Sequence, residues 1–282
     1  GLGDVYKRQV VIRCILSMTS ECLQLQAMNP NLCIKNDASY HDMYYMNPPA
    51  KDLSKIASSD KVKKVQKDFE ATHVRPQRLM KTLFTDEAYV KANVDEARLM
   101  RRLFDLACNM QSHDTDMQLY SLFTDEECYD LWSCNNLYWY LTHACSPVTD
   151  GLMPYREADL LRNILDRADA ALKEGKNQAT LRFGHESCLL PLVALLELNH
   201  YGESYPDVEK LSEQWRAYDI FPMASNVQFV FFHKKGSNDV LVKVLLNEKE
   251  TKLPVKTDVA PYYHWKDVES YYREKLDKYQ HI

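Results

Sequence analysis

Leu181-Arg182-Phe183-Gly184-His185-Glu186-Ser187-Cys188-Leu189-Leu190-Pro191-Leu192 is the stretch from which the rest of the chain can be ordered. Thr180 to Phe183 is an apolar, β-type run that stops at Gly184. The apolar run after it is too long for one strand, so the pattern predicts strand, sharp turn, helix. Ser187 is placed to cap that helix through its hydroxyl, and Pro191 falls in the first turn, where a missing N–H breaks no intrahelical bond. The turn then holds His185 and Glu186 at the carboxyl end of a strand and the amino end of a helix, where open α/β sheets bind ligands. An imidazole and a carboxylate there point to acid/base chemistry on an anionic substrate, although His-Glu pairs in turns also occur as solvated or capping arrangements. A His-Glu-x-x-His zinc motif is excluded, because position 189 is Leu and a metal would lack its second imidazole.

A second segment has the same character. Val10-Val11-Ile12 is β-branched, and Ile12, Ile15, Leu16, Cys22, Leu23 and Ala27 then recur at helical spacing, which puts Arg13 in or just before a first turn. A cation there opposes the helix dipole unless an anion sits between them. On the residues alone, a surface Arg lying along its stem is the simpler reading.

Taken whole, Leu-Arg-Phe-Gly-His followed by an acid and an apolar helix with an early Pro resembles the C-terminal catalytic motif of the histidine acid phosphatases. The continuation Leu189-Leu190-Pro191-Leu192 is most similar to the multiple inositol polyphosphate phosphatase branch. Arg13-Cys14-Ile15-Leu16-Ser17 resembles the second arginine motif of that superfamily, Arg-x-x-x-Ser, whose guanidinium holds the substrate phosphate. Trp132, Asn136 and Tyr140 resemble the helix that precedes the catalytic strand in the inositol phosphatase branch. These motifs stand in the family's order.

Composition sets the limits. The chain has 282 residues, 45% hydrophobic and 27% charged, enough for one large domain or two smaller ones. A net charge of -5 gives no electrostatic case for nucleic acid. No segment approaches the ~18 to 20 apolar residues of a membrane span, and no signal peptide is visible. Eight cysteines contain no Cys-x-x-Cys, so no metal site is expected and most should be small core residues. Cys128, Cys134 and Cys145 are near enough in sequence to pair in an oxidising compartment, with connectivity open. Seven glycines argue for a mainly helical chain. Gly1 to Gln9 looks like translated sequencing adapter and is excluded from fold reasoning, which makes the rest a C-terminal fragment.

Residues 29 to about 151 read as helices with polar joints. Lys51 to Thr72 is a charged helix whose lysines form a solvated face. Asn93-x-x-Glu96 and Thr124-x-x-Glu127 have the form of capping boxes. Ala97, Met100, Leu103, Phe104 and Ala107 make a core stripe, and the aromatic block from Tyr129 to Tyr140 is explained by burial between helices. Cys145 to Gly151 is a loop and a plausible domain boundary. Arg156 to Glu174 is an amphipathic helix ended by Gly175. Val227 to His233 and Val240 to Leu246 form a hairpin, and Trp265 to Leu276 marks a closing helix.

The resemblance implies an α/β sandwich core with an inserted all-helical cap domain. The core would comprise residues 10–28 and 152–282, the cap residues 29–151, and the N-terminal part of the core would be missing. It implies an acid phosphomonoesterase acting on inositol polyphosphates, phytate or 2,3-bisphosphoglycerate, through a phosphohistidine, with no cofactor and a periplasmic or secreted location. Arg13 and His185 would bind phosphate. Two departures stand out. No Arg-His-Gly, the family's nucleophile motif, occurs in the sequence. In the inositol branch the acid usually lies two residues after the His, a position held here by Ser187, whose alcohol cannot protonate a leaving alkoxide near neutral pH. The proton donor is therefore assigned to Glu186, as in the His-Asp type. A phosphatase for other monoesters, a catalytically dead phosphate-binding homologue and a helical interaction protein without a pocket are the alternatives.

Overall fold

The computed structural model describes residues 11–38, 40–47, 51–175 and 178–279. Val10 and the segment Gly1 to Gln9 lie outside them. The fold is mixed α/β, mostly helical, with one antiparallel sheet among the described residues. Helix α1, Ile12–Met28, opens it. Expected as one helix, Lys51 to Thr72 is two, Lys51–Ala57 and α2, Asp60–His73. The break falls where the Ser59 hydroxyl accepts from Val62 N–H at 3.4 Å and starts a new helix.

Helix α3, Glu96–Asn109, begins two residues later than a box on Asn93 would require. Asp95 caps it, accepting from Arg98 N–H at 3.0 Å, while Asn93 ends the preceding helix. The Thr124 box does form. Thr124 Oγ1 accepts from Glu127 N–H at 3.2 Å and Thr124 N–H donates to Glu127 at 2.9 Å, opening α4, Asp125–His143. Arg78 clasps Glu127 from outside (Nε to Oε1, 2.7 Å) and holds the carboxyl below its ordinary range.

Helix α4 carries the core, with Leu131, Leu137, Tyr140 and Leu141 buried. Its aromatic block is only partly interior, since Tyr129 and Tyr138 are about half exposed (53% and 47%). Helix α5, Ala158–Glu174, follows a 3-10 turn at Met153–Glu157 and stops at Gly175, which takes the left-handed conformation (φ 63°) that glycine adopts without strain. Helix α6, Glu186–Leu195, is apolar all round and accordingly buried, from Leu190 through Leu195.

The expected strand at Thr180 to Phe183 is absent. Residues 178–185 have no regular secondary structure and pair with no strand among the described residues, and a strand needs a hydrogen-bonded neighbour. His185 therefore does not end a sheet strand, and the carboxyl-edge placement is corrected with it. The sheet is built further on. Strand β1, Val227–His233, pairs antiparallel with β2, Val240–Leu246, over the full length of both. The other edge of β2 meets β3, Lys249–Glu250, and β4, Tyr263–His264. Alternate residues Val242, Val244 and Leu246 are buried on the face toward α7, Trp265–Tyr279. Helices α5 and α7 are tied by Arg273, which donates to Asp166 and Asp169 at 2.9 Å each, and by Trp265 Nε1, which donates to Asp169 at 2.8 Å.

One hydrophobic cluster runs through the chain from Tyr45 to Leu276. All eight cysteines are free thiols, so no pair forms among Cys128, Cys134 and Cys145.

Candidate active site

Two helix starts meet at the site. At α1 the chain is extended through Val11 (φ -74°, ψ 120°) and turns helical at Ile12, so Arg13 is its second residue. At α6 it is extended through His185 (φ -116°, ψ 160°) and turns helical at Glu186. The N-cap is therefore His185 rather than Ser187, which lies inside the first turn. Pro191 becomes the sixth helical residue, past that turn, and the bond it would have donated to the Ser187 carbonyl is lost. Neither helix start is capped by a side chain. Both present the positive end of a helix dipole.

Arg13 and His185, 172 residues apart, touch: Nη2 of the guanidinium lies 3.4 Å from Nδ1 of the imidazole. A guanidinium only donates, so the contact is favourable when Nδ1 carries a lone pair and the ring proton sits on Nε2. Cys14 is beside them, its thiol donating to Gly184 O at 3.7 Å and lying 3.9 and 3.8 Å from the two ring nitrogens. Burial, aided by Glu186 and opposed by Arg13, pushes that thiol above its ordinary pKa and keeps it as S–H. Ser17, at the end of Arg-x-x-x-Ser, turns back to donate to Arg13 O at 3.0 Å, a bond within its own helix. Glu186 is exposed, next to the imidazole.

Behind α6 lies a buried acid that sequence reasoning passed over. Glu157, at the end of the 3-10 turn packed on α6, is 2% exposed, and its Oε2 has no hydrogen-bond partner. Burial pushes its pKa up to about 8, with Arg156 opposing. Cys188, in the first turn of α6, is pushed up to about 12 by burial and then by Glu157, and its thiol donates to Met46 O at 3.5 Å. Nothing in the sequence marks this acid, since Arg156 to Glu174 reads as one amphipathic helix. Cys14 stands out in the sequence only by its place next to Arg13.

A guanidinium, an imidazole and two uncapped helix starts form a small cationic cradle with one carboxyl at its rim. Residues 26–247 match the family described as histidine phosphatase superfamily (branch 2). The chain belongs to that family. The matched range contains His185 and Glu186 and begins after Arg13, so the place of Arg13 rests on its geometry. Human multiple inositol polyphosphate phosphatase 1 is 28% identical over 134 residues, 43% of this chain and 27% of that protein. Among solved structures, the multiple inositol polyphosphate phosphatase of Bifidobacterium longum has a similar fold. Its phosphate complex gives a TM-score of 0.56 at 19% identity, covering 86% of this chain and 60% of that one. Its inositol hexasulfate complex gives 0.51 with 86% and 59% covered, also at 19% identity. The phytase from D. castellii gives 0.54 at 14% identity, with 85% and 55% covered. The chain thus spans 60% or less of the length of each of these relatives.

Proposed function

We propose that this chain carries the phosphate clamp and the proton donor of an acid phosphomonoesterase acting on inositol polyphosphates, with phytate or 2,3-bisphosphoglycerate as substrate. The convergence of Arg13 and His185 at two helix starts, 3.4 Å apart and beside the only carboxyl of the 181–192 stretch, is the observation that supports it most. The names of the human and bacterial relatives supply the substrate class, and the family supplies a phosphohistidine route. The cradle binds one phosphoryl group, Arg13 through paired N–H donors and His185 through Nε2–H. The attacking His belongs to an Arg-His-Gly-x-Arg motif absent from this sequence, so the 282 residues alone should release no phosphate.

In the first step the phosphorus–oxygen ester bond breaks as the histidine–phosphorus bond forms, and neutral Glu186 gives its proton to the departing inositol oxygen. In the second step the Glu186 carboxylate takes a proton from water as water displaces histidine from phosphorus. We also propose a core of residues 10–28 and 152–282 with a helical cap at 29–151, and a periplasmic or secreted location. The first is supported by the confinement of the described strands to residues after 226 and the second by kinship. Among the described residues no helix is long and apolar enough to cross a membrane.

The test uses a form of the protein that includes an Arg-His-Gly-x-Arg segment. Glu186→Gln should lower kcat on inositol hexakisphosphate by ~10²- to 10⁴-fold with KM changed far less. The loss should shrink on p-nitrophenyl phosphate, whose leaving group departs without a proton, and phosphoenzyme should accumulate in a burst. A nearly silent Glu186→Gln combined with an inactive Ser187→Ala would move the donor to another residue. The order His185-Glu186-Ser187, which departs from the inositol branch's usual pattern, favours a second reading, a phosphate-binding homologue without catalysis. Under it, even the form with the added segment binds inositol hexakisphosphate without turnover.

A further inference from the structure

We infer that Cys14 is a positioning residue of this site, a wedge that fixes the ring orientation of His185 against the helix that carries Arg13. The inference rests on the phosphate-site reading above. His185 is an N-cap residue whose side chain makes no capping bond, so its own helix does not hold the ring. Arg13 does touch Nδ1, but Arg13 is long and exposed. An arriving phosphate offers its guanidinium a charge-assisted bond about twice as strong as a neutral one. The contact that orients the ring in the empty site is thus the one most readily given up when the site fills.

Cys14 has neither weakness. It has a single rotatable side-chain bond and sits on the third residue of α1, where the backbone is fixed by Cys14 N–H donating to Val11 O at 3.0 Å. Its sulfur is nearly equidistant from the ring nitrogens, 3.9 and 3.8 Å. An atom in line with one N–H would be far closer to that nitrogen than to the other, so the sulfur lies against the ring face or the carbon between the nitrogens. It packs without occupying either hydrogen-bonding position, which leaves one nitrogen for Arg13 and the other for a phosphate oxygen. The S–H is directed instead to Gly184 O at 3.7 Å, the carbonyl just before His185. Backbone, ring and α1 are joined through one small uncharged atom, and a neutral thiol adds no charge against a bound phosphate.

The experiment reads the imidazole itself. Two-bond proton–nitrogen NMR spectra of the 282-residue chain report the tautomer of His185, and titration with inorganic phosphate reports affinity. The wild type should show one neutral tautomer, with the proton on Nε2. Cys14→Ala should show a mixture of tautomers and bind phosphate ~10-fold more weakly, the scale seen when outer supports of a ligating His are removed. Cys14→Ser should move both readings the same way by less, since its shorter bond draws the hydroxyl back from the ring while still reaching toward Gly184. Wild-type tautomer and affinity in both variants would overturn the proposal, and if Cys14→Ala does not fold, Cys14→Ser decides by the same readings. Failure of the wild type to bind phosphate would count against the function proposed above, whereas the tautomer comparison would still decide Cys14.

Discussion

Glu157 is held neutral by the place the fold gives it. It is buried on the turn that packs against α6, where ionisation would leave a charge with no full partner. An exposed carboxyl of this type ionises near 4.5, whereas burial moves Glu157 to about 8, with Arg156 opposing and Asp159 assisting. The neutral acid is therefore the native form over most of the useful pH range and adds no negative charge behind His185. The sign of the pH effect follows. Below about 4.5 both states hold the proton, and Glu157 costs nothing. Above that the unfolded chain ionises first, so stability falls as pH rises until the folded protein also ionises near 8. Glu157→Gln should flatten this slope, the difference between pH 5 and pH 8 changing by a few kcal/mol at most. Urea midpoints of both proteins at the two pH values measure it. Parallel profiles would mean that Glu157 is solvated in the folded chain.

At the scale of elements, α4 is fastened to the chain that follows α6 through Asn136. Its Nδ2 donates to Trp215 O at 3.0 Å, and its Oδ1 accepts from Ala217 N–H at 2.8 Å, all within the core. Asn136→Ala removes both bonds and strands a buried carbonyl and a buried N–H. It should destabilise the protein by about 2 to 4 kcal/mol, read as a lower urea midpoint with the slope unchanged. Asn136 could be singled out from its spacing with Trp132 and Tyr140, but its partners could not, because nothing local in the sequence ties position 136 to positions 215 and 217. The same limit explains which other elements were legible. The hairpin, the Thr124 box and the closing helix are set by side chains a few residues apart, and they stand as expected. Thr180 to Phe183 has strand composition yet no paired neighbour among the described residues, and pairing is not a local property. The start of α6 was misplaced by two residues because Ser187 and Pro191 carry strong end signals that the extended conformation at His185 overrides.

For the whole molecule, a chain of net charge -5 brings a guanidinium, an imidazole and two uncapped helix starts together where α1 meets α6. The Arg13 motif was legible through its family resemblance, because on the residues alone a surface Arg was the simpler reading, whereas the His185 turn was marked by its residue types as well. Their contact across 172 positions is a property of the fold, as is the thiol between them. One measurement bears most directly on the claim that this point is a phosphate site. Inorganic phosphate is titrated into the 282-residue chain while the His185 ring resonances are followed, in the wild type and in Arg13→Ala. Saturable binding that shifts those resonances, weakened ~10-fold or more by Arg13→Ala as expected for a lost charge-assisted bond, is the predicted result. Equal affinity in the variant, or binding that leaves the His185 ring unmoved, would contradict it.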